Sequence, residues 1–299
     1  YTVTSVESDS MYPVSSLKAS TRWKFVPSRI MGKPATTFEK MLQALSTETY
    51  LRVDEKNSNP DTKQIYLLNF SRFLDPSYTI AGSNQILQDV FIFEGKKDLS
   101  FRFRFNMQNG LTQYVSDVED SHLIERSVRM QSQMLPEIGN QTDFINKMDQ
   151  LTASSFSTDA RDLLSNGIRS DFSYRPERNI EVGFVLSGSE ITDRLYARNR
   201  IADLDGQEIR IVFSLPTTGQ IKFDLQRQEA VLTNVPQDSL STLPFEFTEG
   251  RVVGRTYLWS AAFDYHIASN FQLSVNYEGR KEGDHSIVHT FRAEARAFF

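Results

Sequence analysis

The 299-residue chain contains no cysteine, so disulfides and thiolate metal sites are excluded, while the compartment stays open because oxidising surroundings permit disulfides without requiring them. No run of 18 or more apolar residues occurs, which excludes a helical membrane span. A basic run is also missing. With a formal net charge of -5, the chain lacks the cationic face that a nucleic-acid partner would require. Tyr1 is followed by neither a basic n-region nor an apolar h-region, so the expectation is a mature form or a C-terminal fragment. No fixed-period repeat stands out.

What the sequence does have is alternation, clearest in residues 254–299. Tyr257, Trp259, Ala261, Phe263, Tyr265 and Ile267 share one face of an extended strand, and Leu258, Ser260, Ala262, Asp264 and His266 share the other. Phe271, Leu273, Val275 and Tyr277 repeat the pattern against Gln272, Ser274, Asn276 and Glu278. Phe291, Ala293, Ala295, Ala297 and Phe299 repeat it again against Thr290, Arg292, Glu294 and Arg296. Aromatic residues near the strand ends with alanine between them suit lipid better than an interlocking core, and charge on the other face suits a wet lumen. The expected lipid-facing belt is Tyr257, Trp259, Phe263, Tyr265, Phe271, Tyr277, Phe291 and Phe299. The expected lumen lining is Arg102, Arg104, Arg169, Asp171, Arg210, Asp224, Asp264, Arg292, Glu294 and Arg296.

Further strands are expected at 21–27, 47–56, 65–74, 86–94 and 99–107, with Asn109-Gly110 as a two-residue hairpin turn. Residues 1–20 read as an irregular segment and 21–299 as one domain. Thr36 and Glu39 form a capping box for a short helix near residues 36–45, whose stripe of Phe38, Met41, Leu42 and Leu45 would pack on the sheet or plug a barrel mouth. Residues 142–151 fit a helix better than a strand. Later connections alternate: short at 175–179, long at 187–207, short at 216–219, long at 234–253, short at 268–270 and medium at 279–287. Outer-membrane barrels show that asymmetry, short turns on the periplasmic side and long loops outside. The fold class is therefore all-β, an antiparallel up-and-down transmembrane barrel or the C-terminal part of a larger one, with roughly 12 to 16 strands in this chain.

The end of the chain, Phe291-Arg292-Ala293-Glu294-Ala295-Arg296-Ala297-Phe298-Phe299, resembles the terminal strand of bacterial outer-membrane β-barrel proteins. Ala297 departs from that pattern, standing where an aromatic residue is frequent. From about Ser173 onward, Ser173-Tyr174-Arg175-Pro176-Glu177 and Ser274-Val275-Asn276-Tyr277-Glu278-Gly279-Arg280 also resemble the C-terminal region of large Gram-negative surface barrels. The resemblance implies a bacterial outer-membrane location, outer-membrane lipid as surroundings and recognition of residues 290–299 by the barrel-assembly machinery.

Other chemistry is weak. Asp203, Asp205, Gly206 and Glu208 fall short of a calcium loop and read as a turn. His285, His289 and Asp284 lack a third ligand at metal spacing, and His266 beside Asp264 has no nucleophilic serine to serve. The charged lining has both signs alternating and reads as cross-strand ion pairing before it reads as a selectivity filter. No catalytic residue, cofactor or metal is expected. Three functions stay open: a channel, translocation pore or membrane anchor; a filled barrel whose loops at 187–207 and 234–253 bind partner subunits; and a soluble antiparallel sandwich or barrel that binds a ligand.

Overall fold

The computed structural model describes every residue except 1–13, 33, 35, 62, 64–72, 115–116, 153–159, 197, 217, 237–242, 269, 284 and 298–299. Among the described residues thirteen strands form one sheet in chain order, each antiparallel to the next. They are β1 (Ser15–Phe25), β2 (Leu45–Asn57), β3 (Thr79–Ile92), β4 (Leu99–Gln113), β5 (Val118–Leu135), β6 (Ile138–Leu151), β7 (Arg161–Glu177), β8 (Ile180–Asp193), β9 (Arg200–Leu215), β10 (Gly219–Thr233), β11 (Gly254–Ala268), β12 (Phe271–Glu282) and β13 (Val288–Ala297). This is the expected up-and-down meander. β1 pairs with β2 and β13 with β12, and neither edge has a second neighbour among the described residues. With thirteen alternating strands, the two edges run in the same direction.

One rim collects the tight turns 136–137, 178–179, 216–218 and 269–270, and the other collects the longer connections 58–78, 152–160, 194–199 and 234–253. Connection 93–98 also lies at the short-turn rim and the short connection 114–117 at the other, and the largest departure is residues 26–44, which cross the short-turn rim and contain α1 (Thr37–Ala44). Strand pairing is staggered. One row of direct partners begins at Phe25, the last residue of β1, passes Val90, Val128, Ile168 and Asp205, and ends at Arg255, the second residue of β11. A climb of about 12 residues at about 3.3 Å each, over ten steps of about 4.8 Å, corresponds to a strand tilt of about 40°, the slope that barrel walls adopt.

Several expectations are corrected. Residues 142–151 form a strand, not a helix, because Phe144 and Met148 continue the apolar face set by Val128 and Ile124 of β5. β4 runs straight through Asn109-Gly110. There the Asn109 amide donates to Asn84 at 2.9 Å, and a Cβ on Gly110 would sit 2.7 Å from Ser121 Oγ, so the pair serves close strand packing instead of a turn. The connection expected at 187–207 shrinks to 194–199, since β8 and β9 stay paired out to Asp193 and Arg200. Asp203, Asp205, Gly206 and Glu208 accordingly lie inside β9, the first two on one face and the last two on the other, and form no turn. β1 begins at Ser15, within the stretch expected to be irregular. The strand expected at 65–74 falls mostly outside the described residues.

The capping box is present: Thr36 Oγ1 accepts from Glu39 N at 3.2 Å, and Thr36 N donates to Glu39 Oε2 at 3.4 Å. The helix does not pack its stripe on the sheet as expected. None of its residues is buried, and Phe38 and Met41 are 68% and 65% exposed.

Near this rim Glu94 holds Lys24 Nζ at 2.5 Å and accepts from Ser46 Oγ. Those hydrogen bonds, Lys24 first, keep its carboxyl below the ordinary glutamate range. A lowered folded-state value means that the stabilisation is fully present above the unfolded value and is lost as pH falls through the folded one. Acidification should therefore loosen β1 first. Amide hydrogen exchange across Ser15–Phe25 is expected to gain an acid-dependent component that Glu94→Gln removes; an identical profile in the variant would show that this contact does not hold the edge.

Candidate functional site

The register sorts the chain's side chains onto two faces, and the two sets expected from the sequence separate cleanly. Arg102, Arg104, Arg169, Asp171, Arg210, Asp224, Asp264, Arg292, Glu294 and Arg296 all share one face. Tyr257, Trp259, Phe263, Tyr265, Phe271, Tyr277 and Phe291 share the opposite one, and Phe299 lies outside the described residues.

Among the described residues the apolar band of this face is largely uncovered, whereas nearer the long-connection rim Glu55 and Leu111 of the same face are buried, Leu74 N donating to Glu55 Oε2 at 3.4 Å. Phe103, Phe144, Ile168, Phe172, Phe184, Ile209, Phe223 and Leu225 are among its exposed large residues, half of the Phe144 and Phe223 surface remaining accessible. At its upper part Trp259 lies across Gly279, where a Cβ would come within 2.2 Å of the indole ring, and its Nε1 donates to Tyr277 Oη at 3.3 Å. Tyr277 Oη in turn bonds His289 Nδ1 at 2.9 Å. Gly279→Ala must push the ring aside, at a cost of about 1–3 kcal/mol for overpacking. The expected readout is altered tryptophan fluorescence with lower stability to denaturant, and an unchanged spectrum would mean that the ring does not need the glycine.

On the charged face most arginines find carboxylates, some on the next strand and some on their own or two strands away. Arg104 grips Asp89 through Nε at 2.8 Å and Nη2 at 2.7 Å, and Arg129 grips Asp143 at 2.5 and 3.2 Å, forked geometry that fixes both partners. Arg210 reaches Asp171 at 3.3 Å and Glu208 at 3.6 Å, and Arg296 meets Glu294 at 2.7 Å. One row is less balanced: Arg102, Arg129, Asp143 and Arg169 stand opposite one another on consecutive strands. Among the described residues Arg102 Nε is buried without a hydrogen-bond partner. Asp89, Arg129 and Asp143 escaped the sequence reading. Asp143 lies in the stretch that fits a helix by its sequence pattern, and Arg129 of β5 stands directly opposite it.

The other unanticipated feature is what lies on this face. The described part of the connection 234–253 folds onto this face. It contains α2 (Phe245–Thr248), which turns back so that Phe247, fully buried, fills a pocket of Leu163, Ile191, Ala202, Leu204 and Ala230. These are charged-face positions of β7 to β10 near the long-connection rim. Arg161 Nη1 holds Glu246 at 3.1 Å, and Arg251 Nη1 donates to the Asp205 carbonyl at 2.8 Å. Among the described residues these six form a buried hydrophobic cluster, with Leu111 and Val185 buried apart from it, against an apolar band that stays largely open.

Of the remaining expected sites, Asp264 Oδ1 accepts from Ser274 Oγ at 2.6 Å, and His289 belongs to β13 on the apolar face. No group of three or more potential metal ligands forms among the described residues.

Fold and faces together define an all-antiparallel, up-and-down β protein of the barrel-wall type. No family model and no curated protein sequence matches the chain. Among solved structures, it is similar to the β domain of the Bordetella autotransporter BrkA, at 9% identity and a TM-score of 0.29, over 85% of this chain and 91% of that one. It is also similar to the translocator domain of the autotransporter NalP from Neisseria meningitidis, at 7% identity and a TM-score of 0.24, over 85% and 82% of the two chains.

Proposed function

We propose that the chain forms the wall of a transmembrane β-barrel in the bacterial outer membrane, serving as a channel, translocation pore or anchor for surface components and not as an enzyme. The observation that carries this reading is the uncovered apolar face. A soluble sandwich or barrel would bury that face in a protein core, whereas here the buried apolar cluster is small and lies on the other side. Lipid covers such a face without any protein partner.

The height of the face agrees. Counting from the short-turn rim, the outward positions are apolar up to Leu186, Ile209, Leu225 and Trp259, and turn polar at Glu190, Gln207, Arg227 and Arg255. About 8 or 9 residues at a tilt of about 40° span about 20–25 Å, the height of a barrel's apolar band. The short-turn rim then faces the periplasm and the long connections face outside. Charges on the opposite face line water, paired across strands as a wet lumen allows. Because β1 and β13 run the same way, an all-antiparallel closure takes an odd number of strands between them. The exposed edge of β13, within 290–299, is the segment offered to the assembly machinery.

Fractionation followed by gel mobility with and without boiling tests this reading. Membrane association with a heat-dependent shift supports a closed barrel, membrane association without one supports a wall completed by other strands, and a chain found in the aqueous fraction overturns the proposal. A filled barrel is the second reading, favoured by the inward-docked α2. Planar-bilayer conductance separates the two, since a filled barrel passes no ions.

A further inference from the structure

Among the described residues α1 is an amphipathic element whose apolar stripe the sheet does not cover. We propose that α1 lies in the plane of the membrane at the short-turn rim, with Phe38 and Met41 inserted at the boundary between lipid headgroups and acyl chains. This rests on the membrane-spanning reading above and adds a second mode of contact with the same bilayer.

Three observations select lipid as the occupant of the open stripe. First, the helix is bracketed by outward-facing positions. Phe25 ends β1 and Leu45 begins β2, both on the apolar face, and Trp23 and Phe25 are themselves more than half exposed. The apolar wall thus continues past the strand end into Ile30, Phe38 and Met41, which are 74%, 68% and 65% exposed. Second, the helix is held at that rim. Phe93 N donates to the Ala44 carbonyl at 2.8 Å, Gln43 Nε2 donates to the Gly32 carbonyl at 2.7 Å, and the 3-10 turn Pro27–Arg29 packs against it. An eight-residue helix is only about 12 Å long, so Phe38 stays within reach of the belt's lower edge. Third, the charge around it suits a phospholipid surface. Arg29, Lys40, Lys96 and Lys97 are exposed here, while Glu94 is neutralised by Lys24 and Glu39 is engaged in the cap. A short helix with an apolar stripe and cationic flanks settles at an interface by burying the stripe and setting the cations against anionic headgroups.

The absence of cysteine makes the test direct. Single cysteines at Phe38, Met41 and Lys40 would carry nitroxide labels in protein reconstituted into phosphatidylethanolamine vesicles containing a minority of phosphatidylglycerol. Labels at Phe38 and Met41 are expected to collide preferentially with lipid-dissolved oxygen, and the label at Lys40, on the far side of the helix from Phe38, with an aqueous nickel chelate. Equal access of the chelate to all three overturns the proposal, and so does a Phe38 label reached by neither reagent, which would mean a protein contact. Control labels at Phe223 and Lys222, on opposite faces of β10, keep the two ideas apart. If Phe223 meets the chelate, the membrane-spanning reading falls and this one with it; if Phe223 meets lipid while Phe38 meets water, only the helix proposal falls.

Discussion

Phe247→Ala is expected to free the inward-folded connection and open the long-connection mouth while leaving the strands paired. The side chain is fully buried among Leu163, Ile191, Ala202, Leu204 and Ala230, so its truncation loses both the transfer energy and the packing of a complete phenyl ring. Such deletions cost about 3–5 kcal/mol; with the pocket next to a wet lumen, the lower figure applies, a factor of about a hundred or more in the docking equilibrium. The loss is local because no strand pairing depends on the ring. Protease should then cut within residues 237–253 of the membrane-embedded protein, and conductance through a reconstituted barrel should rise. Glu246→Gln is the comparison. It removes the 3.1 Å contact to Arg161, but Glu246 is about a third exposed and Arg161 also holds Asp149, so at most about 1 kcal/mol is at stake. If Phe247→Ala leaves both protease resistance and conductance unchanged, the segment is not what narrows that mouth.

That result would also explain why the segment was illegible beforehand. Alternation reports which face of a strand is apolar, and it sorted the residues of β11 to β13 and of the two expected sets onto opposite faces because successive side chains of a strand change sides. Phe247 lies in a short segment between Glu246 and Thr248, and its pocket is built from Leu163, Ile191, Leu204 and Ala230 on four different strands, a coincidence visible only once the sheet is assembled. The upper halves of β8 and β9 were hidden for a different reason. Beyond the apolar band the alternation changes sides: Ile191, Ala202 and Leu204 put apolar side chains on the charged face while Glu190, Asp203 and Asp205 take the other, so the phase is broken while backbone hydrogen bonds, which ignore side chains, continue the ladder. In β6 the adjacent Phe144 and Ile145 broke the alternation, although only Phe144 belongs to the apolar face. Asn109-Gly110 had the composition of a turn but answered to its cross-strand neighbours Asn84 and Ser121. The α1 boundaries were readable because a capping box is local. Where its apolar stripe goes is a question about surroundings, and composition does not answer it.

The sharpest separation of the two faces comes from adjacent residues on β11. Phe263 sits between Ile221 and Val275 on the apolar face and stacks on Tyr265 with ring centroids 5.7 Å apart. Asp264, the next residue, faces the other way and accepts from Ser274. Phe263→Arg is expected to cost about 2–4 kcal/mol in urea unfolding from lipid vesicles, because a guanidinium near mid-bilayer must drag water with it or bend away. Asp264→Arg loses one hydrogen bond in a wet environment, about 1 kcal/mol. Arginine alone would not distinguish lipid from a protein core, which also rejects charge. Phe263→Ala does. In a core the truncation leaves a cavity and costs about 3–5 kcal/mol. Against lipid, acyl chains fill the space and only the lost transfer energy remains, about 1.5–3 kcal/mol. A large arginine penalty with a small alanine penalty at Phe263 is therefore the signature of a lipid-facing strand. Two large penalties would mean that protein covers this face, and equal tolerance of arginine at 263 and 264 would mean that neither face meets a membrane.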